Sequence, residues 1–276
     1  MVPLSGVSLP YFFGNYGHDL APNALTGLGP HHVNPAEIYR PLLTAHERGF
    51  RAVRIWLCEG AEGILMNDGI ISGLNPVLVE SIAIIQECAS LAGLRLYWTL
   101  LDGHSYKRTH DLLSRAMLTE PNQTARFAEL VAAPLTRRLD PRLTIAIEVV
   151  NEPEALMASE AIANRDLAVW HGYGVAIRTI ADAIRSERPG TLVTSGADRQ
   201  ILSKLWANTS GLDAIDVHIK AGMPLPSRAD IMNELAIPAR EADSIPLIAG
   251  CRGNPAVTAN RDDYRAIFQW RLEEDR

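Results

Sequence analysis

Asn151 and Glu152 stand at the end of a long apolar segment, where the reacting groups of a site would be expected. Apolar side chains in residues 143–150 recur at a period of two, which predicts a buried strand. Pro153 ends this strand because proline cannot donate a hydrogen bond to a neighbouring strand. A nearly continuous apolar strand is typical of a parallel sheet covered on both faces, and such sheets bind ligands at the carboxyl ends of their strands. We therefore expect the chemistry of this protein to involve Asn151 and Glu152.

Arg54 is a second residue whose surroundings are chemically informative. It lies between Val53 and Ile55 in a predicted strand, so its guanidinium would be buried. A buried charge needs a partner of opposite charge, since taking an unpaired ion out of water is costly. Glu148 and Glu152 are the candidate partners for Arg54.

The elements that must position these residues alternate between strand and helix along the chain. Helices are predicted to start at Asn34 and Asn75, because each asparagine is followed by a proline at the first helical position. Alternation of this kind predicts parallel strands joined by right-handed crossovers. Further helices are predicted at residues 125–138 and 165–185, and strands at residues 7–13, 51–57, 94–101, 143–150, 191–195, 214–218 and 246–250.

Two segments are harder to assign. Residues 102–123 are predicted to form a long polar loop that carries His104, where a barrel enzyme would place groups that cover its substrate. Residues 260–276 have helical spacing of apolar side chains and are predicted to be a helix, while the alternative makes residues 266–272 the eighth strand. The predicted fold is a single α/β domain over residues 1–276, a TIM (β/α)8-type barrel. Its eighth βα unit is either missing or has residues 266–272 as its strand.

Composition narrows the class of protein. A formal net charge of −6 argues against nucleic-acid and membrane-surface binding, which need a basic patch, and favours a neutral or weakly polar substrate. The start of the chain lacks the features of a secretory signal, which predicts a cytoplasmic protein unless a leader has been removed. Three cysteines give neither a disulfide framework nor a metal knuckle, and a metal site built from Cys58, Cys251, His104 and His218 is disfavoured by their scattered positions. No metal or cofactor is predicted.

Residues Glu148, Asn151, Glu152 and Pro153 together resemble the fourth strand of the clan A glycoside hydrolases, which include the family 5 cellulases and mannanases. The resemblance implies that Asn151 binds the 2-hydroxyl of a sugar and that Glu152 is the catalytic acid/base. Further matches are found near the ends of other strands. They imply that Arg54 holds the carboxylates ionised, that His104 and His218 face the substrate, and that Trp270 stacks on a sugar if residues 266–272 form a strand.

The sequence departs from this family at the expected nucleophile. Cys251 stands where the family has a glutamate, and Lys220 replaces the tyrosine that hydrogen-bonds that glutamate. Hydrolysis with retention of configuration needs two carboxyl groups about 5 to 5.5 Å apart, and Glu152 supplies one. Cys251 could attack as a thiolate, Glu59 or Asp102 could activate water, or the barrel could bind sugar without cleaving it.

The resemblance implies a protein that acts on β-linked O-glycosides, with Glu152 as acid/base, Cys251 at the position of the nucleophile and a carbohydrate as its partner. The alternative is a non-catalytic carbohydrate-binding or regulatory protein that keeps the pocket. The sugar, the linkage and the oligomeric state do not follow from the sequence.

Overall fold

The structure is a computed structural model, and it describes residues 3–12, 15–105, 113–157, 167–209, 211–220, 223–252 and 260–270. Ten strands follow one another along these residues: β1 (Leu4–Leu9), β2 (Ala52–Trp56), β3 (Ile64–Asn67), β4 (Ile70–Leu74), β5 (Arg95–Asp102), β6 (Thr144–Asn151), β7 (Val193–Asp198), β8 (Ile215–Ile219), β9 (Leu247–Arg252) and β10 (Ala266–Trp270). Eight of them close into a parallel barrel in the order β1-β10-β9-β8-β7-β6-β5-β2. The predicted (β/α)8 barrel is confirmed.

Helices surround the barrel, and the two predicted helix starts are correct. Asn34 accepts a hydrogen bond from the Ala36 amide at 3.0 Å, and Asn75 accepts one from the Val77 amide at 2.9 Å. Both asparagines therefore cap their helices as the sequence predicts. The helices are α1 (Pro35–Glu47), α2 (Pro76–Leu91), α3 (Leu113–Thr119), α4 (Pro121–Phe127), α5 (Ala133–Arg138), α6 (Glu154–Met157), α7 (Leu167–Glu187), α8 (Arg199–Asn208), α9 (Arg228–Glu234) and α10 (Ala239–Ala242), with a π turn at Ala128–Ala132.

The prediction of a helix over residues 260–276 is wrong. Residues 266–270 form β10, which pairs with β1 on one side and with β9 on the other, and residues 271–276 lie outside the described part of the chain. The Phe268 ring packs inside the barrel against Tyr97, with ring centroids 5.2 Å apart. Without β10 the facing edges of β1 and β9 would have unpaired backbone groups, so long-range pairing overrides the local helical spacing.

The prediction of a polar loop over residues 102–123 is also wrong in its second half. Helix α3 and the start of α4 occupy residues 113–123, whereas residues 106–112 are not among those described. The antiparallel hairpin of β3 and β4 was not predicted, although the sequence contains an Asp-Gly pair at its turn. Asp68 and Gly69 at its turn have φ angles of 49° and 76°, and an Asp-Gly pair is typical of a turn with two positive φ angles.

Apolar packing holds the site-bearing strands in place. A large cluster fills the space between the barrel and its helices, and a smaller one fills the barrel interior. The interior cluster consists of Ala52, Tyr97, Ile145, Ala146, Ala214, Ile248, Ala266 and Phe268. None of the described helices is long and apolar enough to span a bilayer.

Candidate active site

A fully buried ion pair lies below the carboxyl ends of the strands. Arg54 of β2 places Nη2 2.5 Å from Glu148 Oε2 of β6, and both side chains are 0% exposed. The Thr99 hydroxyl donates to Glu148 Oε2 at 2.6 Å, and the Gly196 amide donates to Oε1 at 3.0 Å. Burial by itself lowers the pKa of Arg54, but Glu148 raises it above its usual value. Arg54 therefore stays charged, with the partner that a buried arginine requires.

Asn151 ends β6 and is held on both sides of its amide. Its Oδ1 accepts from Arg54 Nη2 at 2.8 Å, and its Nδ2 donates to Asp102 Oδ1 at 2.7 Å. The Tyr16 hydroxyl donates to the other oxygen of Asp102. A second lone pair and a second N–H remain on the Asn151 amide, so it can still bind a sugar hydroxyl. Its role as a sugar ligand stays a prediction.

Glu152 follows Asn151 and lies between two histidines. His104 Nε2 is 2.6 Å from Glu152 Oε2, and His218 Nδ1 is 2.7 Å from Oε1. The Glu152 side chain is 24% exposed, so one edge of the carboxylate is open to a ligand. Burial raises the pKa of Glu152, but the hydrogen bonds and charges of His104 and His218 outweigh burial and hold the pKa well below its usual value. Glu152 is therefore ionised at neutral pH.

The backbone of Glu152 is strained, and a glycine makes room for it. Glu152 has a φ of 46°, a left-handed conformation that costs about 1 kcal/mol or more in a residue with a side chain. A Cβ added to Gly103 would lie 1.9 Å from the Glu152 carbonyl oxygen. Strain of this kind persists where the surroundings fix one conformation, as the two imidazoles do here.

His218 lies beneath Glu152 and connects it to a second buried carboxylate. Its side chain is 3% exposed, and its Nε2 is 3.7 Å from Asp216 Oδ1 and 3.9 Å from Glu148 Oε1. Burial lowers the pKa of His218, but Asp216 and Glu152 raise it well above its usual value. His218 is therefore an imidazolium that donates through Nδ1 to Glu152. Its predicted contact with substrate is untested, and in this structure it positions Glu152.

Sequence reasoning missed Asp216 and Tyr97, which belong to the same network. The Tyr97 hydroxyl donates to Asp216 Oδ2, and the Gly250 amide donates to Oδ1 at 2.7 Å. The signal was available, because Asp216 is a charged residue in an apolar strand, as Arg54 is. Small residues make room for the network: a Cβ on Gly196 would lie 2.3 Å from His218 Nε2, and one on Gly250 would lie 2.4 Å from Asp216 Oδ1.

Glu148, Asp216 and His218 have ligand atoms within 4.8 Å of one another, which is the spacing of a cation site. Their oxygens already accept from Thr99, Tyr97 and main-chain amides, and Arg54 supplies a positive charge. An imidazolium at His218 fits these surroundings better than a metal ion does, because a protonated ring nitrogen cannot be a ligand. Cys58, from the disfavoured metal set, is buried, and burial raises the pKa of its thiol.

The remaining predicted site residues lie at the same end of the barrel. Cys251 is in β9, and its main chain is in register with His218; its side chain is not among the parts that the structure describes. Lys220 follows β8 and forms an ion pair with Asp198, with Nζ 3.0 Å from Oδ2. Trp270 ends β10 and contacts Trp56 edge to face, with ring centroids 5.9 Å apart. Direct contact with Glu152 is shown for His104 and His218.

The two carboxylates considered as activators of water are both buried. Asp102 is 4% exposed, and its oxygens accept from Asn151, the His104 amide and Tyr16. Glu59 is 1% exposed, accepts from the Gly17 amide at 3.2 Å, and has a pKa raised well above its usual value by burial. Both side chains are therefore placed to support the loops around the site rather than to meet a substrate.

No protein-family model and no curated protein matches this chain. Solved structures do match it. One is a β-1,4-mannanase from Aplysia kurodai, with a TM-score of 0.72, 14% identity, and 99% of this chain and 88% of that chain covered. Another is a β-1,4-D-mannanase from Cryptopygus antarcticus, with a TM-score of 0.72, 15% identity, and 98% and 84% covered.

A third match is GH5_18 from Streptomyces cattleya in complex with GlcNAc, with a TM-score of 0.62, 18% identity, and 98% and 70% of the two chains covered. Identities this low show a common fold and leave function to be argued from the site. The chain has the (β/α)8 barrel fold of these family 5 glycoside hydrolases.

Proposed function

We propose that this protein binds a carbohydrate at the carboxyl ends of its barrel strands and hydrolyses a β-linked O-glycoside, with Glu152 as the acid/base. The observation that carries this proposal is the position of Glu152, which is partly exposed at a strand end and held at 2.6 and 2.7 Å by His104 and His218. Fixed carboxyl groups at such strand ends are where barrel enzymes carry out their chemistry.

The proton for the leaving group would come from the His218–Glu152 pair. Glu152 is ionised in the free protein, and His218 carries a proton on Nδ1, which lies 2.7 Å from Glu152 Oε1. A sugar bound over Glu152 excludes water, which raises the pKa of a carboxylate and favours transfer of that proton from His218 to Glu152. Glu152 would then protonate the glycosidic oxygen as its bond to the anomeric carbon breaks, while a water molecule bonds to that carbon and releases a proton that restores the His218–Glu152 pair. The two groups titrate as one unit.

The first substrates to test are β-1,4-mannosides, because the similar structures include β-1,4-mannanases. A cavity of about 450 Å³ opens beside His218 and has room for sugar units. Its wall includes the Asp198–Lys220 ion pair, Gln200 and Met223, so charges of both signs and an apolar surface face the ligand. This lining suits an uncharged sugar.

The second candidate function is carbohydrate binding without hydrolysis. It is favoured by the ionised state of Glu152, since a general acid needs a pKa near the working pH. The correspondence of Cys251 to the family nucleophile, which the resemblance implies, also favours it, because losing a catalytic nucleophile typically costs several orders of magnitude in rate.

The test is to measure both release and binding. We expect the protein to release product from aryl β-mannosides or β-1,4-mannooligosaccharides, and Glu152→Gln to reduce the rate at least ~10²-fold. Glu129→Gln, at an exposed position of the π turn, is the matched control and should keep the parent rate. Calorimetric binding of oligosaccharides without any release would support the second candidate, and absence of both binding and release would contradict both.

A further inference from the structure

A cavity of about 240 Å³ lies at the opposite end of the barrel from Glu152. Its lining includes Arg95, Arg188, Arg265, Gly190 and Thr191, and we call it the arginine pocket. Arg95 is the first residue of β5, Arg265 directly precedes β10, and Thr191 stands just before β7. The pocket therefore opens at the amino ends of the strands, and it is separate from the proposed carbohydrate site.

The three arginines of the pocket have no carboxylate partner among the described residues. Arg95 donates from Nε to the Leu143 carbonyl at 3.1 Å and from Nη2 to the Thr144 carbonyl at 3.3 Å. Arg188 donates from Nη2 to the Arg137 carbonyl at 3.5 Å, while its Nη1 is buried without a hydrogen-bond partner. A buried N–H that lacks an acceptor is unfavourable, and more so on a charged group.

The carboxylates near the pocket are already paired elsewhere. Asp140 forms an ion pair with Arg142, with Oδ2 2.8 Å from Nη2, and Asp213 forms one with Arg185 at 3.2 Å. The pKa of Asp140 is lowered mainly by its hydrogen bonds with Arg142, with a further lowering by the charge of Arg188. The pocket therefore keeps a local excess of positive charge in a chain whose formal net charge is −6.

We propose that the arginine pocket binds an oxyanion of the phosphate class. Guanidinium groups bind phosphate through two parallel hydrogen bonds, and three guanidinium-bearing residues line this one cavity without a carboxylate partner among the described residues. The volume of about 240 Å³ holds a phosphate group together with part of a molecule attached to it. Binding at this end needs no residue of the proposed carbohydrate site, so the proposal is independent of the proposed function.

The experiment is calorimetry with inorganic phosphate, together with thermal unfolding in phosphate and in chloride at equal ionic strength. We expect phosphate to bind to the parent protein and to raise its melting temperature by about 2 °C or more. Arg188→Met and Arg265→Gln should each weaken phosphate binding at least about tenfold, since each removes one guanidinium group from the pocket. Arg240→Met, an exposed arginine of α10 outside the pocket, is the control and should bind like the parent.

Arg265→Gln keeps the test decisive even if Arg188→Met fails to fold. The Arg265 side chain is exposed, so its loss should leave the fold intact. Glucose 6-phosphate and glucose are compared with inorganic phosphate to distinguish a phosphomonoester from the free ion. Either phosphate compound binding with the expected loss in Arg265→Gln supports the pocket. Absence of phosphate binding by the parent, or equal binding by parent and Arg265→Gln, overturns the proposal.

Discussion

At the scale of single residues, the site is a series of alternating charges beneath one partly exposed carboxylate, that of Glu152. Glu152 contacts His218, His218 approaches Asp216 and Glu148, and Glu148 binds Arg54. Each buried charge in this chain has a neighbour of opposite sign, which is the condition for keeping ions out of water. Removing one member should therefore affect the others.

Arg54→Met should lower the free energy of unfolding by about 3 to 5 kcal/mol, because Glu148 would remain as a buried carboxylate without its cation. Urea denaturation measures this change. Arg240→Met is the control: it removes the ion pair with Glu241, in which the Arg240 side chain is 84% exposed. This change should alter the free energy of unfolding by about 1 kcal/mol or less. An Arg54→Met protein as stable as the control would show that Glu148 does not depend on the pair.

His218 and Glu152 make opposite contributions to the pH dependence of stability. The pKa of His218 is raised by folding, so its contribution is complete below the unfolded pKa of about 6.5 and is lost as pH rises through the folded pKa. The pKa of Glu152 is lowered, so its contribution is present above the unfolded pKa of about 4.3 and is lost as pH falls. Stability should be greatest between these limits.

Asp216→Asn should shift the alkaline loss of stability to lower pH, because it removes a carboxylate that raises the pKa of His218. Nuclear magnetic resonance titration of the His218 ring and melting curves against pH are the two measurements. If the His218 titration midpoint were the same in Asp216→Asn and the parent, Asp216 would not control its charge.

At the scale of elements, the ends of the strands and the loops after them decide where Glu152 points. Gly103 follows β5, and its amide donates to the Asn151 carbonyl at 2.7 Å. The loop after β5 therefore packs directly on the loop after β6, and His104 reaches Glu152 from it. The close approach of these two loops depends on the absence of a side chain at Gly103.

Gly103→Ala should displace the Glu152 backbone, because the new Cβ would lie 1.9 Å from its carbonyl oxygen. We expect a loss of stability of about 1–3 kcal/mol and weaker sugar binding by calorimetry. The control is Gly172→Ala in α7, where nothing lies within 4 Å of the added Cβ. This variant should stabilise the protein by about 0.5–1 kcal/mol, and equal effects of the two changes would contradict the packing argument.

At the scale of the whole molecule, barrel closure brings β9 next to β8, so that Cys251 lies in register with His218. If the proposed loss of the family nucleophile is confined to this position, a carboxylate there should complete the pair with Glu152. Closure also determines that the arginine pocket and the proposed carbohydrate site open at opposite ends of the barrel.

Cys251→Glu combined with Lys220→Tyr should create or increase hydrolysis of aryl β-glycosides with retention of configuration, measured by product release and by magnetic resonance of the anomeric proton. The second change replaces an ammonium with a phenol that can hydrogen-bond the new carboxylate. Cys251→Ala alone should not abolish an existing activity. Its complete loss in that variant, with a sugar adduct on Cys251 in the parent, would make the thiolate the nucleophile.

The sequence by itself was sufficient for the order of the first seven barrel strands, the two asparagine caps, the position of Asn151 and Glu152 at a strand end, and the burial of Arg54 with Glu148 as one of two candidate partners. These features depend on local signals: apolar periodicity, capping residues and a charge inside an apolar strand.

The tertiary structure decided the rest. Residues 266–270 have helical spacing, yet they form β10 because β1 and β9 each offer an open edge. The groups that hold Glu152 ionised could not be predicted either, since its pKa is lowered by His104 and His218, which are 48 and 66 residues away in sequence, and not mainly by Arg54. The arginine pocket likewise exists only after β5, β7 and β10 are brought to one end of the barrel, because charges far apart in the chain act on each other only at short distance in space.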